Sequence, residues 1–196
     1  METNHNKRIS GIYAITPNHA LNIDAIEKVI IQYDITLLQY RHKTLDAQTR
    51  RNEATQLQQL CLKHHTLFII NDDINLAKKI TADGVHLGKN DASIQQARTQ
   101  LGANAIIGVS CYNDIILAKN AQNQGADYVA FGALFPSLSK PDAPRCSLDV
   151  VTQARQILDL PIVGIGGIDF DNQQQALNAG CNAVAMINAL DMETKK

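Results

Sequence analysis

The chain has 196 residues, 45% of them hydrophobic, with 18 basic and 19 acidic side chains and a net charge of −1. That supplies enough apolar surface for one domain with a full core and too much for intrinsic disorder. The near-neutral balance without a basic stripe argues against nucleic acid as a partner, and no run approaches the roughly 20 apolar residues of a membrane helix.

In chain order, residues 1–10 are polar and lack the apolar stretch of a secretion signal. They are expected to form an N-terminal extension ahead of a domain at 11–196, and a cytoplasmic location is expected. Strands are expected near 11–16, 36–41, 67–71, 84–88, 105–110, 128–134, 161–167 and 183–188. Helical patterns alternate with them near 22–33, 45–64, 72–81, 93–101, 113–124, 147–158, 171–179 and briefly after 188. Eight apolar, β-branched strands in this alternation predict a parallel sheet buried on both faces. Eight also closes a barrel, so the expected class is α/β, a (β/α)8 TIM barrel in a single compact domain, with an open doubly wound sheet as the alternative.

A weak repeat supports closure. Ala82-Asp83-Gly84-Val85, Ala126-Asp127-Tyr128-Val129 and Cys181-Asn182-Ala183-Val184 each lead from a helix end into an even-numbered strand. Cys61, Cys111, Cys146 and Cys181 form no C-x-x-C pair, which argues against a disulfide framework or a zinc site. Cys111 reads as a buried filler, and His86, between Val85 and Leu87, as a satisfied core histidine.

Parallel strands present their C-terminal ends on one face, so the polar residues there converge. Gln39, Arg41 and Lys43 share one phase at the second strand's end, and Arg and Lys suit phosphate as a fork and a point charge. Asn71-Asp72 and Asp91 follow the third and fourth strands, which lie about 4.8 Å apart in a sheet. Two carboxylates on neighbouring strands suit magnesium, which takes few protein ligands and keeps water and phosphate oxygens. The plainer reading makes each a helix cap or turn residue, and Asp73 competes with Asp72 for the metal. Ser137-Leu138-Ser139-Lys140 lies in the longest loop, and Gly164-x-Gly166-Gly167 precedes a helix whose dipole would aid phosphate binding.

Together these segments resemble the thiamine phosphate synthase family, from Gly11-Ile12-Tyr13-Ala14-Ile15-Thr16 to Met186-Ile187-Asn188. The family's Q-x-R-x-K stands as Gln39, Arg41 and Lys43, its N-D as Asn71-Asp72, its A-D-G-V-H-L-G as 82–88, and its G-x-S as Gly108-Val109-Ser110. T-x-T-K is represented by Ser137, Ser139 and Lys140, and I-G-G-I by residues 165–168. The resemblance implies a Mg2+-dependent transferase of thiamine biosynthesis. It would join hydroxymethylpyrimidine diphosphate to hydroxyethylthiazole phosphate and release pyrophosphate. By the same resemblance Arg41, Lys43, Asn71, Ser110 and Lys140 hold the diphosphate, with Gln39 beside the pyrimidine. Asp72 and Asp91 hold the metal. Ser137, Ser139, Gly167, Ile187 and Asn188 hold the thiazole phosphate, and Tyr40, His42 and Leu138 are counted with the substrate-binding segments. Arg41, Lys43, Ser110 and Lys140 are the catalytic candidates. The partners implied are small phosphorylated substrates, with no nucleic acid, no membrane, and a homo-oligomer left open.

Two departures concern the thiazole end: serines replace both threonines, and Asn188 replaces a frequent serine. Two alternative functions stand beside the synthase. A thiazole tautomerase shares the barrel but carries a histidine at the position of Tyr112. A non-catalytic phosphate-binding barrel would have little use for the aspartate pair.

Overall fold

Eight parallel strands, β1 (Gly11–Ile15), β2 (Leu37–Tyr40), β3 (Leu67–Asn71), β4 (Gly84–Leu87), β5 (Ile106–Tyr112), β6 (Tyr128–Phe131), β7 (Ile162–Ile165) and β8 (Ala183–Met186), close into a barrel in sequence order. The structure, a computed structural model, describes residues 9–19, 21–42, 45–136 and 145–192. The closing pair runs from Gly11 opposite Ala183 to Ala14 opposite Met186, which excludes the open doubly wound sheet.

Outside the barrel lie α1 (Ile23–Gln32), α2 (Ala47–Lys63), α3 (Ile74–Ile80), α4 (Ile94–Leu101), α5 (Ile115–Asn123), α6 (Leu148–Ile157) and α7 (Gln173–Asn178). Short polar residues start them: Asn22, Asp46, Asp73 and Asp114 each accept a first-turn N–H, and Ser93 forms a capping box with Gln96. None of these helices is long and apolar enough to cross a membrane.

The core has two layers because strand side chains alternate. Tyr13, Ile15, Leu37, Leu67, Ile69, Ile106, Tyr128 and Val163 fill the barrel interior. Leu38, Tyr40, Phe68, Ile70, Val85, Ile107 and Val129 face the helices. Ile9, expected in the polar extension, is fully buried in the inner layer.

The sequence repeat has a physical cause. Asp83 N donates to Phe68 O at 3.0 Å while Phe68 N donates back to Asp83 Oδ2 at 2.8 Å. Asp127 makes the same clip on Ile107, at 2.8 and 2.8 Å, and Asn182 on Ile162, at 2.7 and 2.9 Å. Each clip ties the start of an even strand to the preceding odd strand. Arg98 of α4 and Arg155 of α6 donate to the Asp127 and Asn182 side chains and brace two of them from the helix layer.

Element ends differ from expectation at the C-terminal face. β6 stops at Phe131, β7 at Ile165 and β8 at Met186, two or three residues early, because the chain leaves the ladder to build loops. Residues 187–190 form bends and turns, so the short helix expected after 188 is absent among the described residues.

Candidate active site

Along the inward phase, four neighbouring strands run from apolar or small to polar. Leu37 precedes Gln39 on β2, Leu67 and Ile69 precede Asn71 on β3, Gly84 precedes His86 on β4, and Ile106 and Gly108 precede Ser110 on β5. Alternation therefore leaves the lower barrel packed with hydrocarbon and puts the polar groups at its C-terminal mouth. The register keeps neighbours side by side, with Asn71 opposite His86 and His86 opposite Gly108.

Gln39, His86 and Ser110 are joined through two tyrosines. Gln39 Nε2 donates to Tyr13 Oη at 2.9 Å, and the Tyr13 and Tyr128 hydroxyls are 2.8 Å apart. His86 bridges onward, with Nδ1 3.0 Å from Tyr128 Oη and Nε2 2.8 Å from Ser110 Oγ. His86 is thus a satisfied buried histidine, as expected, with one partner, Tyr128, in the barrel interior and the other, Ser110, among the polar groups at the mouth. Burial pulls its pKa down to about 4, with the Asp91 carboxylate pulling weakly the other way. Burial also raises both tyrosine pKa values, so the network holds neutral groups. Tyr13 and Tyr128 were not singled out from sequence. The available signal was a tyrosine in the inward phase, whose buried hydroxyl must find a partner.

The aspartates separate from their plainer readings to different degrees. Asp73, not Asp72, caps α3 through Leu76 N at 2.9 Å, and it also pairs with Arg50 at 2.8 Å. That commits Asp73 and removes it as the competing metal ligand. Asp72 sits between β3 and that cap in left-handed backbone, φ 63°, an uncommon conformation for a residue with a Cβ. Ser93, not Asp91, caps α4, while Asp91 Oδ2 accepts from Gly88 N at 2.7 Å in a tight turn. No group of three or more His, Cys, Asp or Glu forms a complete cation cage among the described residues. Two carboxylates on adjacent strand ends fit magnesium, whose other positions go to water and phosphate.

Arg41 follows β2 and is held by Thr16, whose Oγ1 accepts from Arg41 N at 2.9 Å while Thr16 N donates to Gln39 O at 2.9 Å. Tyr40 takes the opposite phase: it is buried against α2, with its hydroxyl donating to Glu53 at 2.7 Å. His42 shares that phase and lines a cavity of about 320 Å3 with Arg50, Asn71 and Asp72. Neither ring nitrogen of His42 has a hydrogen-bond partner among the described residues. Tyr40 lines the same cavity, so both side chains stand beside the expected site residues Asn71 and Asp72. Lys43, Ser137, Leu138, Ser139 and Lys140 lie outside the described residues.

Gly167 adopts φ 63°, and a Cβ there would stand 2.8 Å from the Phe135 carbonyl carbon, so the β7 turn requires glycine. α7 begins at Gln173, two residues later than expected. Ile187 and Asn188 line a second cavity, about 380 Å3, with Pro17 and Asp191. Tyr112 ends β5 half-exposed, its hydroxyl accepting from Lys89 N at 3.4 Å, so a phenol occupies the tautomerase histidine position. Cys111 is fully buried with its thiol pushed up to about 12 by desolvation, which makes it a filler.

Comparison with known proteins agrees with this geometry over the whole barrel. A family model described as thiamine monophosphate synthase matches residues 12–190. The thiamine-phosphate synthase of Methylobacillus flagellatus is 48% identical over 93% of this chain and 88% of its own. That of Nitrosococcus oceani is 48% identical over 93% and 85%. Among solved structures, a thiamine phosphate pyrophosphorylase from Pyrococcus furiosus superposes with TM-score 0.85 at 29% identity, covering 97% of this chain and 90% of that one. The chain belongs to the thiamine monophosphate synthase family.

Proposed function

We propose that the barrel mouth joins hydroxymethylpyrimidine diphosphate to hydroxyethylthiazole phosphate, with magnesium held by Asp72 and Asp91. The observation that carries this reading is the set of polar groups at the ends of β2 to β5, bordered by two carboxylates that cap neither following helix. In the reaction the methylene–oxygen bond breaks, its electron pair leaves with pyrophosphate, and the thiazole nitrogen forms the new carbon–nitrogen bond to the pyrimidine cation. Bound magnesium would neutralise charge on the departing diphosphate. Arg41 and Lys43 add positive charge there, Asn71 and Ser110 add hydrogen bonds, and Lys140 stabilises the leaving anion. Gln39 faces the pyrimidine. Gly167, Ile187 and Asn188, with Ser137 and Ser139, receive the thiazole phosphate. No nucleophile or strong base is needed, in keeping with a barrel mouth of hydrogen-bonding and ionic groups. The enzyme works in the cytoplasm.

Incubation with both substrates and magnesium, followed by oxidation of the product to fluorescent thiochrome, tests the reading. Thiamine phosphate is expected, and it should vanish with EDTA and in Lys140→Ala. Product that survives EDTA would remove the metal from the proposal. Folded protein that makes no product would remove the synthase activity.

A further inference from the structure

Five side chains form one unbroken relay from β2 to β5: Gln39, Tyr13, Tyr128, His86, Ser110. Each hydroxyl in the middle has one hydrogen, and a neutral imidazole has one N–H and one lone pair. Only two hydrogen orders keep all four bonds and leave neither buried tyrosine hydrogen without an acceptor. In one, the Gln39 amide donates to Tyr13, Tyr13 to Tyr128, Tyr128 to His86 Nδ1, and His86 Nε2–H to Ser110 Oγ. The Ser110 hydrogen then points away from His86. In the other, Gln39 offers its carbonyl, every hydrogen reverses, and Ser110 spends its hydrogen on His86. The donating orientation of Gln39 Nε2 selects the first order.

We propose that Gln39 polarises this relay so that the Ser110 hydroxyl is held as a donor for a phosphate oxygen, with Tyr13, Tyr128 and His86 as positioning residues. This rests on the reading of Ser110 as a diphosphate contact. In the reversed order Ser110 would present only lone pairs to an anion. The rings are packed to hold the order: His86 and Tyr128 stack at 5.6 Å and 22°, and Tyr13 meets Tyr128 edge-on at 6.0 Å. The relay links the residue beside the pyrimidine to a residue on the diphosphate, so the two ends of one substrate are sensed by one set of hydrogens.

Gln39→Glu tests this, because a carboxylate of the same shape only accepts. At a pH above about 9, where even a buried carboxyl is ionised, it forces Tyr13 to donate toward position 39 and reverses the order. In 15N NMR, His86 is expected to carry its proton on Nε2 in the unaltered enzyme and on Nδ1 in Gln39→Glu. Adding Tyr128→Phe cuts the relay and should abolish that dependence on position 39. With pyrophosphate and magnesium as the probe, Gln39→Glu should bind roughly tenfold more weakly, the worth of one hydrogen bond to a charged group. The double variant, carrying the same added charge, should recover most of that loss. An unchanged His86 tautomer in Gln39→Glu overturns the relay, as does equal weakening in the two variants. Turnover by the unaltered enzyme is measured separately: a tautomer switch without turnover would sink the synthase reading and leave the relay standing.

Discussion

Gly108→Ala probes the packing that makes the site possible. Gly108 lies opposite Tyr128 in the β5–β6 register, and a Cβ there would overlap Tyr128 at Cζ, Cε1 and Oη. Carbon atoms at their optimum sit about 3.5–4 Å apart, so the ring has to move. Overpacking a core by one methyl costs about 1–3 kcal/mol. Displacing Tyr128 also strands Tyr13 and His86, and each buried group left without its partner costs about 1–3 kcal/mol. Together this is roughly 3–9 kcal/mol, a large part of the 5–15 kcal/mol that holds a typical domain. For a chain of this size the Tm should fall by on the order of 10–20 °C. Thermal unfolding by circular dichroism measures it. Gly108→Ala/Tyr128→Leu should recover only the overpacking share of the Tm, because the smaller side chain vacates the space but leaves Tyr13 and His86 without their partner. A Tm in Gly108→Ala within a degree or two of the parent's would refute the packing argument.

Three further outcomes are expected. Asp127→Ala removes the acceptor for Ile107 N and the partner of Arg98; urea unfolding should show a loss of about 2 kcal/mol. His86 is held well below its ordinary range, so the unfolded chain binds its proton more readily. Stability should therefore fall as the pH drops from about 6.5 toward about 4, by on the order of 3 kcal/mol, and His86→Gln should lack that component. All four cysteines are buried with raised thiol pKa values, so a thiol reagent at neutral pH should label none of them in the folded protein and all four after denaturation.

Much of this architecture is written locally. Alternation of strand and helix patterns, eight times over, leaves little besides a closed parallel barrel, because short apolar strands need cover on both faces. The repeated Asp83, Asp127 and Asn182 positions are legible for the same reason: each completes a clip between neighbouring strands. The convergence of Gln39, Arg41, Asn71, Asp72, Asp91 and Ser110 on one end also follows from strand direction alone.

Other features depend on which residues meet across the barrel. Asp72 and Asp73 are adjacent and chemically alike, and sequence does not say which one caps α3; Arg50, 23 residues earlier, engages Asp73 and decides it. Tyr40 and His42 sit within the motif at the end of β2, and the strand's pleat turns them toward α2, where they share a cavity with Asn71 and Asp72. Tyr13, His86 and Tyr128 look like packing residues in isolation. They become a relay because closure brings β1, β4 and β6 within hydrogen-bond reach, and because Gly108 leaves room for the Tyr128 ring. Periodicity records which face of a strand a residue occupies, whereas a contact between residues 115 positions apart exists only once the sheet has closed.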